Sequence, residues 1–178
     1  MDVRSNKIIA GQPALKYRIV QISERHVASF HAALDSVARE RKHLAMLKAP
    51  PISETRKFVH GNIKAKNIQL VALASGSVIG WCDIVRSPRE TMKHCGVLGL
   101  GVTSMHRGRH LGRELMTAAI ARAWKRSISR IELTVREDNL PAINLYTQLG
   151  FQAEGLRRRA LRVDGEYVNL VAMALLRE

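Results

Sequence analysis

A chain of 178 residues, 46% of them hydrophobic, is sized for one domain with its own core, and that apolar content excludes a disordered chain. A formal net charge of +14 favours an anionic ligand, an acidic partner or nucleic acid without choosing among them, but aromatics at only 4% and the lack of any recognition-helix or zinc-finger motif argue against nucleic acid. No apolar run approaches the ~20 residues that span a bilayer, so no membrane association is expected.

Residues 1–15 read as a flexible polar arm ahead of a single domain over 16–178. The arm lacks the apolar core of a signal peptide, so a cytoplasmic protein is the default expectation. Tyr17–Ile22 reads as a first strand. Ser23 offers an N-cap to a helix over about 24–47, with Val27, Phe30, Leu34 and Val37 as its apolar stripe. Ala49-Pro50-Pro51 breaks that pattern, and Ser53 can cap a second, short helix to about Ile63 with Phe58 and Val59 facing inward. Gln69–Ala74 and Val78–Val85, joined by Ser75-Gly76-Ser77, form a hairpin. Cys95–Val102 is a further strand, Leu111–Trp124 an amphipathic helix, and Arg130–Val135 a strand with Ile131, Leu133 and Val135 on one side. Asn139–Leu149 is a helix stopped by Gly150. Two closing strands, Phe151–Leu161 and Tyr167–Leu175, meet at an Asp164-Gly165 turn. The order β-α-α-β-β-β-α-β-α-β-β predicts an α/β fold, a mixed sheet with helices packed on it. Cys82 and Cys95 lie in apolar strand-like runs without ligand spacing, which predicts buried, reduced thiols and no metal site.

The segment Leu98–Gly112 points most directly to a ligand. A strand-like run passes through a basic, glycine-bearing turn straight into a helix. A helix start presents unpaired N–H groups and the positive end of the macrodipole. With Arg107, Arg109 and Arg113 around it, such a turn suits a phosphate. A dinucleotide fingerprint fails here, because Gly99-Leu100-Gly101 is followed by Ser104 at the sixth position, and no P-loop sequence is present. On spacing alone, an ordinary basic loop remains open.

Arg107-Gly108-Arg109-His110-Leu111-Gly112 resembles the pyrophosphate-binding loop of the GNAT superfamily of N-acetyltransferases. Asn139-Leu140-Pro141-Ala142-Ile143-Asn144-Leu145-Tyr146, followed by Gly150-Phe151, resembles the family's second signature. The likeness runs from about Gln69 onward and is nearest the amino-acid and phosphinothricin N-acetyltransferase type. It implies a twisted, mostly antiparallel sheet with flanking helices. One position departs from the pattern: His110 stands where the family has its first motif glycine. Its N–H can still donate, but a left-handed backbone would be strained there. Contact with phosphate and a spectator role are both open for His110.

The resemblance implies acetyl-CoA as cosubstrate, without a metal, and direct attack by a primary amine in a ternary complex. It assigns Leu100 and Val102 to the pantetheine arm, and Arg107, Gly108, Arg109, His110, Leu111, Gly112 and Arg113 to the phosphates. Asn139 and Ala142 would meet the cofactor from the opposite side. Tyr146 matches the tyrosine that protonates the leaving sulfur; on its own pattern it is equally a residue packed on the apolar face of its helix. For the base, Glu132 alternates off the apolar face of its strand and can reach the cleft, or it can be a surface carboxylate paired with Arg130. Glu154, His94 and Asp83 are weaker candidates, and a water chain needs no dedicated base. Arg157-Arg158-Arg159 reads as an exposed strand face. The acceptor pocket is expected from roughly Phe30–Phe58 and the closing strands. A small-molecule amine acceptor, such as an amino acid or an analogue, is the leading expectation. A protein N-terminus or lysine is the runner-up, and a non-catalytic CoA- or nucleic-acid-binding module is the third. A homodimer is common among relatives.

Overall fold

Alternation of side chains along the strands builds two hydrophobic layers, one on each face of a single sheet. The computed structural model describes residues 16–178 together with the backbone of Val3–Ser5. Its strands are β1 (Val3–Ser5), β2 (Tyr17–Gln21), β3 (Ile68–Ala74), β4 (Ser77–Arg86), β5 (Cys95–Val102), β6 (Arg130–Arg136), β7 (Gln152–Val163) and β8 (Glu166–Leu176). The helices are α1 (Val27–Ala38), α2 (Ile52–Lys64), α3 (Leu111–Trp124) and α4 (Leu140–Gln148). The eight described strands lie in the order β1-β2-β3-β4-β5-β6-β8-β7. Every neighbouring pair is antiparallel except β5 with β6. Of the predicted arm, Val3–Ser5 pairs with β2, and the remainder lies outside the described residues.

Val71, Leu73 and Trp81 project from one face onto Phe30, Leu34 and Val37 of α1 and Val59 of α2. Residues of opposite parity on the same strands, among them Leu70, Cys82 and Ile84, pack on the other face against Leu111, Leu115, Met116 and Ala119 of α3. Tyr146 of α4 and Phe151 belong to this second layer.

The parallel pair decides where a ligand can enter. β5 and β6 are in register only from Cys95↔Arg130 to Val97↔Glu132. Beyond that point β5 stays with β4 as far as Val102, and β6 stays with β8 as far as Arg136. The two strands therefore part, and the sheet splits along the line between them.

Two expectations are corrected. The helix predicted over 24–47 is a 3-10 turn at Glu24–His26 followed by α1, which stops at Ala38. The next positions due on the inner face would be Arg41 and Lys42, which cannot enter an apolar layer, and Arg41 takes a left-handed backbone (φ 56°). In α2, Val59 is buried as expected, but Phe58 is 43% exposed. The inner stripe is Thr55, Val59 and Asn62, spaced by four and three residues, which leaves Phe58 one step off it. Both cysteines are buried free thiols.

Candidate active site

The split between β5 and β6 holds a cavity of about 680 Å³. Its walls come from both faces of the sheet. Val37, His43, Leu44 and Ala45 approach from the α1 side, and Leu111, Gly112, Leu145 and Tyr146 from the α3–α4 side. Leu98–Val102 of β5 and Leu133–Val135 of β6 form its flanks. The cavity thus passes through the sheet. From Leu98 onward the edge of β5 that faces β6 has no strand partner, so its backbone groups are free to bind an extended, amide-bearing chain.

At one end lies the turn into α3. Gly108 (φ 71°) and His110 (φ 61°, ψ 4°) both adopt left-handed backbone, and His110 is the N-cap of α3. The resemblance located the strain correctly, and the chain accepts it with a histidine. Of the residues assigned to the cofactor, Leu100, Val102, Arg107, Gly108, His110, Leu111, Gly112, Arg113 and Asn139 all line the cavity. Arg109 and Ala142 do not. Ala142 instead donates its N–H to the Asn139 side chain (3.4 Å), as part of the cap of α4. The guanidinium of Arg107 is occupied within the protein. Its Nε donates to the Val102 carbonyl (2.8 Å), and its two Nη groups grip the Glu40 carboxylate (2.6 and 2.7 Å). Arg113 donates to the Gln148 side chain and links α3 to α4.

Tyr146 forms part of the opposite wall. Asn139 caps α4, and the helix ends in a Schellman motif. The Phe151 N–H donates to the Tyr146 carbonyl (3.0 Å), and the Gly150 N–H donates to that of Thr147 (3.0 Å), with Gly150 at φ 93°. The hydrophobic contact that accompanies the motif is the Tyr146–Phe151 ring pair, with centroids 6.0 Å apart. These contacts fix Tyr146 at both its backbone and its ring. Burial pushes its phenol well above the usual range, so the hydroxyl stays protonated at neutral pH.

Glu132 is not brought to the cavity. It lies where β5 and β6 are still paired, across from Val97 and short of the split, 3.4 Å from Arg130, which also holds Glu154 at 2.8 Å. The alternative of a paired carboxylate is the observed state. Glu154 is consumed by the same arginine, and His94 is exposed on the surface. Asp83 faces the α1 side of β4, directly across from Gly99. Burial raises its carboxyl pKa to about 7. On the face that Glu132 shares, the β6 residue that lines the cavity is Thr134, two positions further along the strand.

The sequence reading missed one group. Glu40, held by Arg107, accepts from His43 Nε2 at 3.2 Å, and His43 lines the cavity. The Glu40–Arg107 contact spans 67 positions, and His43 falls in a stretch that reads locally as continuing helix, so no local pattern announced it. Among the described residues, no group of three or more His, Cys, Asp or Glu stands together to hold a metal. No helix of those residues is long and apolar enough to cross a membrane.

The site is thus a parallel strand pair that splits around a through-going cavity, with a left-handed turn opening a helix at one end and a buried tyrosine in the wall. The model of the acetyltransferase (GNAT) family matches residues 31–151, and the chain belongs to that family, whose members transfer acetyl groups from acetyl-CoA. It is 38% identical to the L-amino acid N-acetyltransferase AaaT of Escherichia coli over 108 residues, which cover 60% of this chain and 66% of the enzyme, slightly under two thirds of its length. It is 36% identical to the N-alpha-acetyltransferase RimI of Mycobacterium tuberculosis over 116 residues, covering 65% of this chain and 69% of that protein. Among solved structures, the phosphinothricin acetyltransferase of Sinorhizobium meliloti in complex with acetyl-CoA superposes with a TM-score of 0.84 at 16% identity, covering 89% of this chain and 86% of that one.

Proposed function

We propose that this protein acetylates the primary amine of a small molecule, an amino acid or a close analogue, by direct attack on acetyl-CoA in a ternary complex. The observation that carries this reading is the through-sheet cavity, with the left-handed turn into α3 at one end and Tyr146 in its wall. The N–H groups of the Gly108–Gly112 turn and the start of α3 would receive the pyrophosphate. The free edge of β5 would receive the pantetheine amides, and Gly112 leaves room for them beside Leu100 and Leu145. The thioester then lies within the split, where a β5 N–H can polarise its carbonyl. Tyr146 would protonate the departing sulfur.

A small acceptor is favoured by the segment after α1. Glu40 is tied to Arg107 just beyond β5, and the Arg41 carbonyl accepts from Arg136 Nη1 at the end of β6 (2.9 Å). This segment therefore bridges the two diverging strands on the acceptor side and narrows the mouth. The match to the E. coli amino acid enzyme points the same way.

The test follows thiol release from acetyl-CoA with a panel of free amino acids, short peptides and nucleic acid. Turnover with free amino acids is expected. Turnover with peptides alone would instead make a protein N-terminus the acceptor, and binding without turnover would leave a coenzyme-binding module. In Tyr146→Phe, kcat should fall about 100-fold while the affinity for acetyl-CoA stays within a few-fold. An equal loss of both, or no loss, removes the acid role.

A further inference from the structure

Attack needs an unprotonated nitrogen, yet a primary amine with a pKa near ~10 is almost wholly protonated at neutral pH. That proton must pass either to a side chain in the acceptor half of the cavity or to water that reaches it. Glu132 and Glu154 are neutralised by Arg130 outside the cavity, and Asp83 is not part of its lining. His43 is part of it, on the side from which an acceptor would approach.

We propose that His43, oriented by Glu40 and Arg107, is the base that deprotonates the acceptor amine. This rests on the transferase reading above. The geometry is a relay of three groups. Arg107 is itself anchored to the β5 carbonyl of Val102 and clamps both oxygens of Glu40. Glu40 is thereby kept ionised below the usual carboxylate range and can only accept. Its Oε2 lies 3.2 Å from His43 Nε2, so the neutral ring carries its hydrogen there and leaves the lone pair on Nδ1.

The charged groups around the ring keep it in the working form. Burial lowers the pKa of His43 first, Arg107 and Arg136 lower it further, and Glu40 opposes them. Asp138 also feels His43, but its own carboxylate is engaged by Arg136. The net shift is downward, so at neutral pH the ring is unprotonated and ready to accept.

The steps balance. His43 Nδ1 takes one proton from the ammonium and becomes imidazolium, and the freed nitrogen lone pair forms the C–N bond at the thioester carbonyl. Collapse of the tetrahedral adduct breaks the C–S bond, with the electron pair leaving on sulfur. Tyr146 protonates that sulfur and is reprotonated by the second amine hydrogen. The imidazolium returns its proton to solvent. The products are an amide, free thiol and one proton.

The experiment measures kcat/KM for the amine against pH at saturating acetyl-CoA. Wild type should show an acidic limb below the ordinary imidazole value of 6.5. His43→Gln should lose about 100-fold or more in kcat, lose the limb, keep the acetyl-CoA KM within about twofold, and regain rate with added imidazole. Glu40→Gln removes the neighbouring carboxylate charge that raises the ring's pKa, so its limb should move to lower pH. Asp83→Asn should leave the limb in place. An NMR titration of free wild-type protein should show His43 neutral at pH 7 with hydrogen on Nε2. The relay is overturned if His43→Gln keeps the wild-type kcat and limb, if only its amine KM rises, if Asp83→Asn abolishes the limb instead, or if the ring carries the opposite tautomer. Failure of wild type to turn over any amine strikes the transferase reading itself, and the relay falls with it.

Discussion

At the scale of single residues, the sequence showed which side chains exist but not which ones are already engaged. Asp83 illustrates the cost of one that is not. Burial raises its carboxyl from 3.8 to about 7, and no side-chain or backbone hydrogen bond offsets that burial among the described residues. The folded state therefore holds the proton more tightly than the unfolded chain does. The favourable term is complete below pH 3.8 and is lost as pH rises through about 7. Asp83→Asn, neutral at every pH, should stabilise the protein at pH 8 by a few kcal/mol, on the order of 4 if the whole shift is realised. Chemical denaturation at pH 8 and pH 4.5 checks this, and the advantage should shrink towards the lower pH. The residues opposite explain a pattern that the sequence left without a purpose. Gly99 and Gly101 fail as a dinucleotide motif, but a Cβ on Gly99 would lie 2.7 Å from Asp83 Oδ2, and one on Gly101 2.2 Å from the Trp81 ring. They are glycines because two large side chains of β4 lie across them. Tyr146 was singled out through the resemblance alone, since its local pattern, a residue on the apolar face of a capped helix, reads equally as packing. His43 was not, because its partner relationship depends on a contact with a residue far along the chain.

At the scale of elements, local signals sufficed where periodicity and punctuation agreed. The bounds of α3 and β5 follow from Leu111, Leu115, Ala118 and Ala119 on one side, and from a strand-like run ending at a basic turn on the other. The end of α1 was hidden because Arg39–Lys48 has helix-forming composition without an inner stripe. Tertiary ties to Arg107 and Arg136 hold that segment in another shape. Entry into α3 carries a measurable strain. A residue with a Cβ in left-handed conformation costs ~1–2 kcal/mol, partly offset by the backbone freedom that a glycine would lose. His110→Gly should therefore stabilise the protein by about 0.5–1 kcal/mol, read as a rise of a few degrees in Tm. No gain, or a loss, would mean that the imidazole makes a compensating contact at the turn.

At the scale of the whole molecule, the excess of basic residues divides into two uses. Several arginines are internal ties: Arg86 donates to the Lys93 carbonyl (2.7 Å), Arg130 holds two carboxylates, and Arg136 joins β6 to the segment after α1. Others lie on β7, whose residues are exposed from Gln152 to Ala160, as the run Arg157–Arg159 suggested. There Arg159 and Arg162 lie over the Tyr167 ring, 5.1 and 5.6 Å from its centroid. Net charge alone could not separate these uses, because the same residue type serves both.

The parting of β5 from β6 also means that the protein carries an unfinished hydrogen-bond ladder in its interior. An extended molecule lying in the gap would act as the absent rung, so on the proposed function the coenzyme would be a transient added strand. In free protein, the amides of Leu98–Val102 that face the gap should exchange with deuterium at rates typical of a sheet margin. Acetyl-CoA should slow them while leaving the amides directed at β4 unchanged.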